Sequence, residues 1–261
     1  MNRFLLTLSI CSVVFTSCER PTPPKIEVSG LDLHHDIHWS YDGPTGPSHW
    51  GELNPEWILA KSGKKQSPIN LSKSSQTTDL PILTADYQAT PLNLTNNGHT
   101  IVQSYSEGSS ASISGNSYQL AQFHFHHTSE HTVDGNYFDM ECHLVHKNEE
   151  GNLLVVGVLI KAGKENEFLK QFWSDLPQEE GKSSTATLQI NVEDLLPDDL
   201  SYYHYQGSLT TPPCTEGVQW YVLSDPIEAS VGQIAAFSAI FPKNNRPVQN
   251  LFDRKVVTND E

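Results

Sequence analysis

Short apolar runs, several of them alternating with polar residues, follow one another along most of the chain. Five of these runs have the composition of β-strands, at residues 99–105, 122–127, 141–147, 153–160 and 218–224. Polar clusters that contain glycine, such as NNG (96–98) and DGN (134–136), separate them and are typical of turns. The pattern predicts a protein built mainly from short β-strands.

Two other segments carry apolar residues at spacings of three and four, the period of a helix with one buried face. They span residues 165–176, which end before Pro177, and residues 230–241. The apolar positions are Phe168, Leu169, Phe172 and Trp173 in the first segment, and Val231, Ile234, Phe237 and Phe241 in the second. We therefore predict an α+β chain that is mainly β, with short peripheral helices.

The N-terminal region has a different composition from the rest of the chain. Arg3 precedes an apolar run at residues 5–15, which is too short to span a bilayer but suits a signal peptide. The sequence VFTSC, ending at Cys18, resembles the lipobox of bacterial lipoproteins, with Phe15 in place of the usual aliphatic residue. We predict a signal peptide at 1–17, a proline-containing tether at 18–30 and one domain at 31–261. The protein is then exported to the periplasm or cell envelope and anchored by lipid on Cys18. Cleavage without lipid is the alternative.

The net charge of the chain excludes some classes of binding partner, and its cysteines leave the disulfide pairing open. The chain carries 31 acidic and 16 basic residues, a net charge of −15, whereas nucleic acids and anionic lipid surfaces require clustered Lys and Arg. We expect no nucleic-acid partner, and membrane contact only through the lipid anchor. The predicted domain retains Cys142 and Cys214, and nothing in the pattern places them together.

Six of the twelve histidines lie between residues 119 and 148. Alternate residues of a strand share a face, so His124 and His126 point the same way, and His143 shares a face with Glu141 on the next predicted strand. If the two strands are neighbours, three imidazoles meet around one cation and leave a fourth position open, as in catalytic zinc sites. Gln122 and Glu141 are placed to orient the rings. A hydrogen-bonded surface pair is the alternative for the His-x-His motif alone.

This segment resembles the core of the α-class carbonic anhydrases. Further segments match that family in order, namely HWSYDGPTGPSHW (38–50), GKKQSPINL (63–71), LTNNGHT (94–100), GSLTTPPCTEGVQWYVL (207–223) and NNRPVQNLFDR (244–254). The resemblance covers roughly residues 38–257. It implies a single domain around a large, mostly antiparallel twisted β-sheet. It also implies reversible hydration of carbon dioxide to bicarbonate and a proton, with Zn²⁺ bound by His124, His126 and His143.

The same resemblance implies a role for individual residues. Thr210 corresponds to the threonine that accepts a hydrogen bond from zinc-bound hydroxide and donates its own proton to Glu130. His99 corresponds to the proton shuttle, with Tyr41 and Asn97 ordering water nearby. The carbon dioxide pocket corresponds to Val145, Val155, Leu209, Val218 and Trp220, and Thr211 to a bicarbonate contact. Supporting positions are Gln122 and Glu141 beside the ligands, His131 behind Glu130, and Asn244, whose backbone carbonyl binds a ligand histidine.

The chain departs from the family at one cross-link. Exported members often join the cysteine of the TPPC motif to a cysteine just before the G-K-x-Q-S-P motif. Here Cys214 is present, but Ala60 stands at the position of the second cysteine.

Two other kinds of function are open from sequence. One is a non-catalytic binding protein on the carbonic anhydrase scaffold. The other is zinc capture, which His34, His35 and His38 near the tether suggest weakly.

Overall fold

The computed structural model describes residues 37–73, 75–77 and 79–259. The predicted signal peptide and tether lie outside the described residues, as do Cys18, His34 and His35. No helix in the described ranges is long and apolar enough to cross a membrane.

Strands dominate the described chain, and the helices are short. The strands are β1 (Asn70–Leu71), β2 (Gln76–Thr77), β3 (Thr84–Asp86), β4 (Thr90–Asn96), β5 (Ile101–Ser104), β6 (Ser110–Ile113), β7 (Asn116–His126), β8 (Thr132–Val133), β9 (Asn136–Tyr137), β10 (Met140–Lys147), β11 (Leu153–Ala162), β12 (Ser183–Ile190), β13 (Tyr202–Ser208), β14 (Glu216–Leu223), β15 (Ile227–Ala229) and β16 (Val257–Thr258). The α-helices are α1 (Trp50–Leu53), α2 (Leu59–Ser62), α3 (Glu167–Lys170) and α4 (Val231–Ile240). Short 3₁₀ turns occur at Gly43–Thr45, Pro55–Trp57, Trp173–Asp175 and Val192–Leu195.

One large sheet organises the domain. Its strands follow the order β12-β4-β5-β7-β10-β11-β14-β13-β16-β2, with β15 against β11 and with β6 joining β3 to β7. Most neighbours are antiparallel, but the central pair β11 and β14 is parallel. Within the described residues, a second sheet is formed by β1, β8 and β9. The expected large, mostly antiparallel sheet is confirmed, and all five predicted strands are present.

The two faces of the central strands bury different groups. On β10, Cys142 and Leu144 face the larger core, together with Phe123 and Phe125 of β7. The alternate residues of β10 face the other way, where Val145 packs on a smaller apolar cluster. This alternation is the period of two that a strand imposes, and it confirms the parity read from the sequence.

The helical segments are shorter than their periodicity predicts. Residues 165–176 form α3 and a separate 3₁₀ turn, so Trp173 begins a tighter turn, and its indole N–H donates to the Gln233 carbonyl at 2.7 Å. The second segment forms α4, with Ser230 and Gln233 making a reciprocal capping box at its start. Val231 was predicted on its buried face but is 71% exposed, because it occupies the first turn beyond the edge of the core.

Candidate metal centre and active site

The three predicted ligand histidines meet on the sheet face opposite the larger core. β7 and β10 pair antiparallel with His124 directly opposite His143, and His126 follows two residues along β7. The ring centroids are 4.5 to 5.3 Å apart, and one nitrogen of each ring lies within 4.8 Å of the other two. The register of the two strands therefore brings His143 beside the pair His124 and His126, and the three imidazoles form one cluster.

Hydrogen bonds determine which nitrogen of each ring is free. His124 Nδ1–H donates to Gln122 Oε1 at 2.9 Å, and His126 Nδ1–H donates to the Asn244 carbonyl at 2.6 Å. On His143 it is Nε2–H that donates, to Glu141 Oε1 at 2.8 Å. The lone pairs left facing one another are Nε2 of His124, Nε2 of His126 and Nδ1 of His143.

The electrostatics of the cluster keep these rings neutral. Burial lowers the pKa of all three, to about 4 for His126 and well below the usual range for His124, and the neighbouring imidazoles lower the pKa of His124 and His143 further. Neutral imidazole is the form that binds a metal ion. His126 Nε2 is fully buried without a hydrogen-bond partner, a costly state that a bound cation would relieve. The donor set, three neutral imidazole nitrogens, fits Zn²⁺.

A second group of possible ligands, His131, Glu141 and His143, is explained without a metal. Glu141 Oε1 accepts from His131 Nδ1 at 2.7 Å and from His143 Nε2 at 2.8 Å, while Oε2 accepts the backbone N–H groups of Glu130 and His131, each at 2.8 Å. Burial opposes the charge on Glu141, but the two histidines outweigh it and hold its pKa well below the usual range. These short distances are hydrogen bonds.

Behind the ligands, Glu130 is completely buried. Its Oε1 accepts the backbone N–H of Arg246 at 2.7 Å, and its Oε2 is buried without a hydrogen-bond partner among the described residues. Burial raises the pKa of this carboxyl to about 7. The nearby His143 imidazole, the Arg246 backbone N–H and the Thr210 hydroxyl act in the opposite direction and lower the pKa. Thr210 therefore lies at the carboxylate where the sequence expects it, and it is 6% exposed.

The loop that carries Thr210 joins β13 to β14 and is held at both ends. Leu209 N–H donates to the Thr215 carbonyl at 3.0 Å, and Cys214 N–H donates to the Thr211 carbonyl at 2.8 Å. The Cys214 carbonyl in turn accepts from Gln66 Nε2 at 3.0 Å. These contacts hold the loop without a cross-link.

The five residues expected to line the carbon dioxide pocket lie in one apolar cluster. Val155, Val218 and Trp220 are at most 2% exposed, and Val145 and Leu209 pack against them. The Trp220 indole N–H donates to the Ser208 carbonyl at 2.9 Å, which joins this cluster to the start of the Thr210 loop. Thr211 follows on the same loop and is partly exposed.

His99 lies in the turn between β4 and β5 and not in a strand. Its ring stacks on Trp39, with centroids 3.6 Å apart and planes 8° from parallel, and Tyr41 lies edge-on at 6.5 Å. Asn97 Oδ1 accepts the backbone N–H of His99 at 3.0 Å, so this side chain shapes the turn. Burial lowers the pKa of the half-buried His99 ring.

Some residues of the site have no signal in the strand pattern. Asn244 Oδ1 accepts the His127 N–H, and its Nδ2 donates to the carbonyls of His99 and Phe125, so one side chain ties the His99 turn to β7. His131 reaches Glu141 and the Tyr205 hydroxyl, and does not bond to the Glu130 carboxylate. Arg246, which holds Glu130, was not singled out from sequence, because only its backbone N–H makes the contact.

Cys142 and Cys214 are both buried free thiols. Cys142 lies in the larger core, on the face of β10 away from the histidines. Cys214 packs with Tyr41 and Trp50, and Ala60 packs against that group.

A sequence model described as eukaryotic-type carbonic anhydrase matches residues 45–260. The carbonic anhydrase of Nostoc sp. is 42% identical over 258 residues, which cover 97% of this chain and 94% of that protein. The α-carbonic anhydrase of Thermovibrio ammonificans, solved with the inhibitor sulfanilamide, has a TM-score of 0.83 at 43% identity over 85% of this chain and 99% of its own. Dioscorin complexed with ascorbate has a TM-score of 0.80 at 33% identity, covering 85% of this chain and 97% of its own.

Proposed function

The chain belongs to the eukaryotic-type, or α-class, carbonic anhydrase family and is a carbonic anhydrase, and from that premise we propose a zinc-dependent mechanism of carbon dioxide hydration. The observation that carries this proposal is the convergence of three neutral imidazoles. One nitrogen of each ring points toward the other two rings, and the second nitrogen of each ring is hydrogen-bonded to the protein. His124 and His126 would hold Zn²⁺ through Nε2, and His143 through Nδ1. When bound in such a site, zinc lowers the pKa of a water molecule to about 7 and so supplies a nucleophile at neutral pH.

Thr210 and Glu130 orient the attacking oxygen. A hydroxyl has one proton, and donation of it to the unpartnered Glu130 Oε2 leaves Thr210 Oγ1 as an acceptor toward the reacting water. Thr210 Oγ1 would therefore accept a hydrogen bond from that water, which turns a lone pair of the water oxygen toward the carbon. An anion that brings no proton is disfavoured at the same place.

Carbon dioxide is apolar, and the wall around Val155, Val218 and Trp220 gives it an apolar surface. Val145 and Leu209 pack against this wall and would help to exclude water from the substrate side. The Thr210 backbone N–H and the Thr211 side chain are placed on one loop to receive the bicarbonate oxygens.

A proton must leave the site in every cycle of hydration. His99 is half-buried at the turn beside β5, and an imidazole accepts and releases a proton near neutrality. The stacking on Trp39 gives the His99 ring a flat surface against which it is held.

We also propose, from the sequence alone, that the chain is exported and anchored in the cell envelope through Cys18. Metabolic labelling with a radioactive fatty acid tests this anchor. A Cys18→Ser variant that keeps the label, or a wild-type chain that never acquires it, contradicts lipid attachment.

The mechanism is tested by metal analysis and stopped-flow carbon dioxide hydration on the chain without residues 1–18. We expect one zinc per chain and hydration that sulfanilamide inhibits, since a related enzyme was solved with that inhibitor. His143→Ala should lose both zinc and hydration, whereas His49→Ala, which removes an exposed histidine outside the site, should keep both. Wild-type protein that binds zinc but does not hydrate carbon dioxide, even with imidazole buffer added, would favour a binding function. Activity retained in His143→Ala would mean that the third ligand is wrong.

A further inference from the structure

An exposed loop is fastened to the turn that carries His99. Asn96 N–H donates to the Lys182 carbonyl at 3.0 Å, and Gly181 N–H donates back to the Asn96 carbonyl at 2.8 Å. The Asn96 side chain adds a third bond, from Nδ2 to the Pro177 carbonyl at 3.0 Å. Residues 177–182 are therefore held against the turn by three hydrogen bonds to a single residue.

This attachment lays the Glu180 side chain over Gly98. A Cβ on Gly98 would lie 2.7 Å from Glu180 Cδ and 2.8 Å from Glu180 Oε1, so the carboxylate occupies the space that a larger residue would need. Gly98 also has φ +84°, which favours glycine. Its N–H donates to Asn96 Oδ1 at 2.9 Å. The carboxylate therefore lies over the residue that immediately precedes His99 in the chain.

The charges around His99 come from three parts of the chain. Burial lowers the pKa of His99, the negative charge of Glu180 raises it, and His38 lowers it again. Asp42 and Lys243, of opposite sign, line the 270 Å³ cavity beside the ring. The Tyr41 hydroxyl is uncharged, because burial raises its pKa well above the usual range.

We propose that Glu180 is a positioning residue for proton transfer, whose carboxylate over Gly98 favours the protonated state of His99 and sets the pH range in which that ring carries protons. The proposal rests on the shuttle role proposed for His99. Without a nearby negative charge, burial and His38 leave His99 a weaker base than the transfer requires, because a proton moves efficiently between groups of similar pKa.

The direct test is an NMR titration of the His99 Cε1–H signal, assigned with a His99→Ala variant. Glu180→Gln keeps the size of the side chain over Gly98 and removes its charge. We expect the His99 midpoint to fall by about 0.2–0.7 pH unit, the range that exposed charge pairs produce. Glu180→Lys should lower it further. Glu179→Gln, an exposed neighbour on the same loop, is the matched control and should leave the midpoint unchanged.

Two further measurements separate a charge effect from a structural one. In unbuffered hydration assays the acidic limb of the kcat profile should move with the His99 midpoint, while the pH profile of kcat/KM stays in place. Salt at about 1 M should remove most of the difference between wild type and Glu180→Gln, since the interaction is screened.

An unchanged His99 midpoint in Glu180→Gln, or an equal shift in Glu179→Gln, overturns the proposal. A shifted midpoint with an unmoved kcat profile overturns it as well. The titration does not depend on turnover. A wild-type chain that fails to hydrate carbon dioxide would therefore refute the proposed function, while the titration would still decide whether Glu180 affects the protonation of His99.

Discussion

Glu141 is the residue whose replacement should reveal most about the metal centre. Its two oxygens accept four N–H groups between 2.7 and 2.8 Å, and one of them is Nε2–H of His143. Glu141→Gln keeps the shape of the side chain but replaces one acceptor oxygen with an NH₂ group, which can only donate. At least two of the four donors then face another donor, unless a histidine changes its tautomer.

The most favourable rearrangement turns the amide NH₂ toward the two histidines. His131 can adapt, since its other nitrogen faces the Tyr205 hydroxyl at 2.6 Å, and a hydroxyl accepts as well as donates. His143 can adapt only by moving its proton to Nδ1, the nitrogen that faces the other two rings. In that tautomer the remaining lone pair is on Nε2 and points away from the other two rings, so His143 has none to offer a metal ion at Nδ1. We therefore expect zinc affinity to fall by about 10- to 100-fold, as when outer partners of ligand histidines are removed, or ~1.4–2.7 kcal/mol.

The assay is zinc competition against a chelating dye at fixed pH, with near-ultraviolet circular dichroism to show that the variant is folded. Gln122→Ala removes the partner of the partly exposed His124, where water can replace the lost acceptor, and should weaken zinc binding less. Glu149→Gln removes one exposed acidic charge far from the metal ligands and should have no effect. An unchanged zinc affinity in folded Glu141→Gln protein would refute the tautomer argument.

Three more outcomes follow from other parts of the chain. His99→Ala should lower kcat by roughly 10²-fold with kcat/KM nearly unchanged, and imidazole buffer should restore it; an unaffected kcat would exclude His99 as the proton carrier. Burial lowers the pKa of His146 to about 4, so the unfolded chain takes up a proton near pH 6.5 that the folded chain refuses until about pH 4. Stability present above pH 6.5 should therefore fall by about 3 kcal/mol as the pH approaches 4, and urea unfolding of His146→Phe should show a shallower dependence than wild type. Ala60→Cys should form a bridge to Cys214 and stabilise the chain by about 3–5 kcal/mol; thiol titration that still finds Cys214 free after oxidation would contradict this.

The clustering of the three histidines could be predicted from sequence because their placement is local to two strands. Parity puts His124 and His126 on one face of β7, and it puts His143 and Glu141 together on β10. Only the register was unknown, and the antiparallel pairing of His124 with His143 supplies it. The same reasoning separates Cys142 from the ligands.

The surroundings of these three histidines could not be derived in this way. Asn244 and Arg246 contact β7 and Glu130 from more than a hundred residues away, through an irregular segment without periodicity. Glu180 meets Gly98 only because a loop is fastened to Asn96. Periodicity also misjudged Val231, since the position of a helix end relative to the core is a tertiary property that a repeat of three and four does not contain.

The three imidazoles differ in how far they can be reached from outside. His126 and His143 are 1% exposed, whereas His124 is only partly buried. The His124 side would therefore be the most accessible approach for an ion held by the three rings. Extraction by a chelator should consequently depend on whether the chelator is small enough to follow the same route, so a slim chelator should strip the protein faster than a bulky one of equal strength.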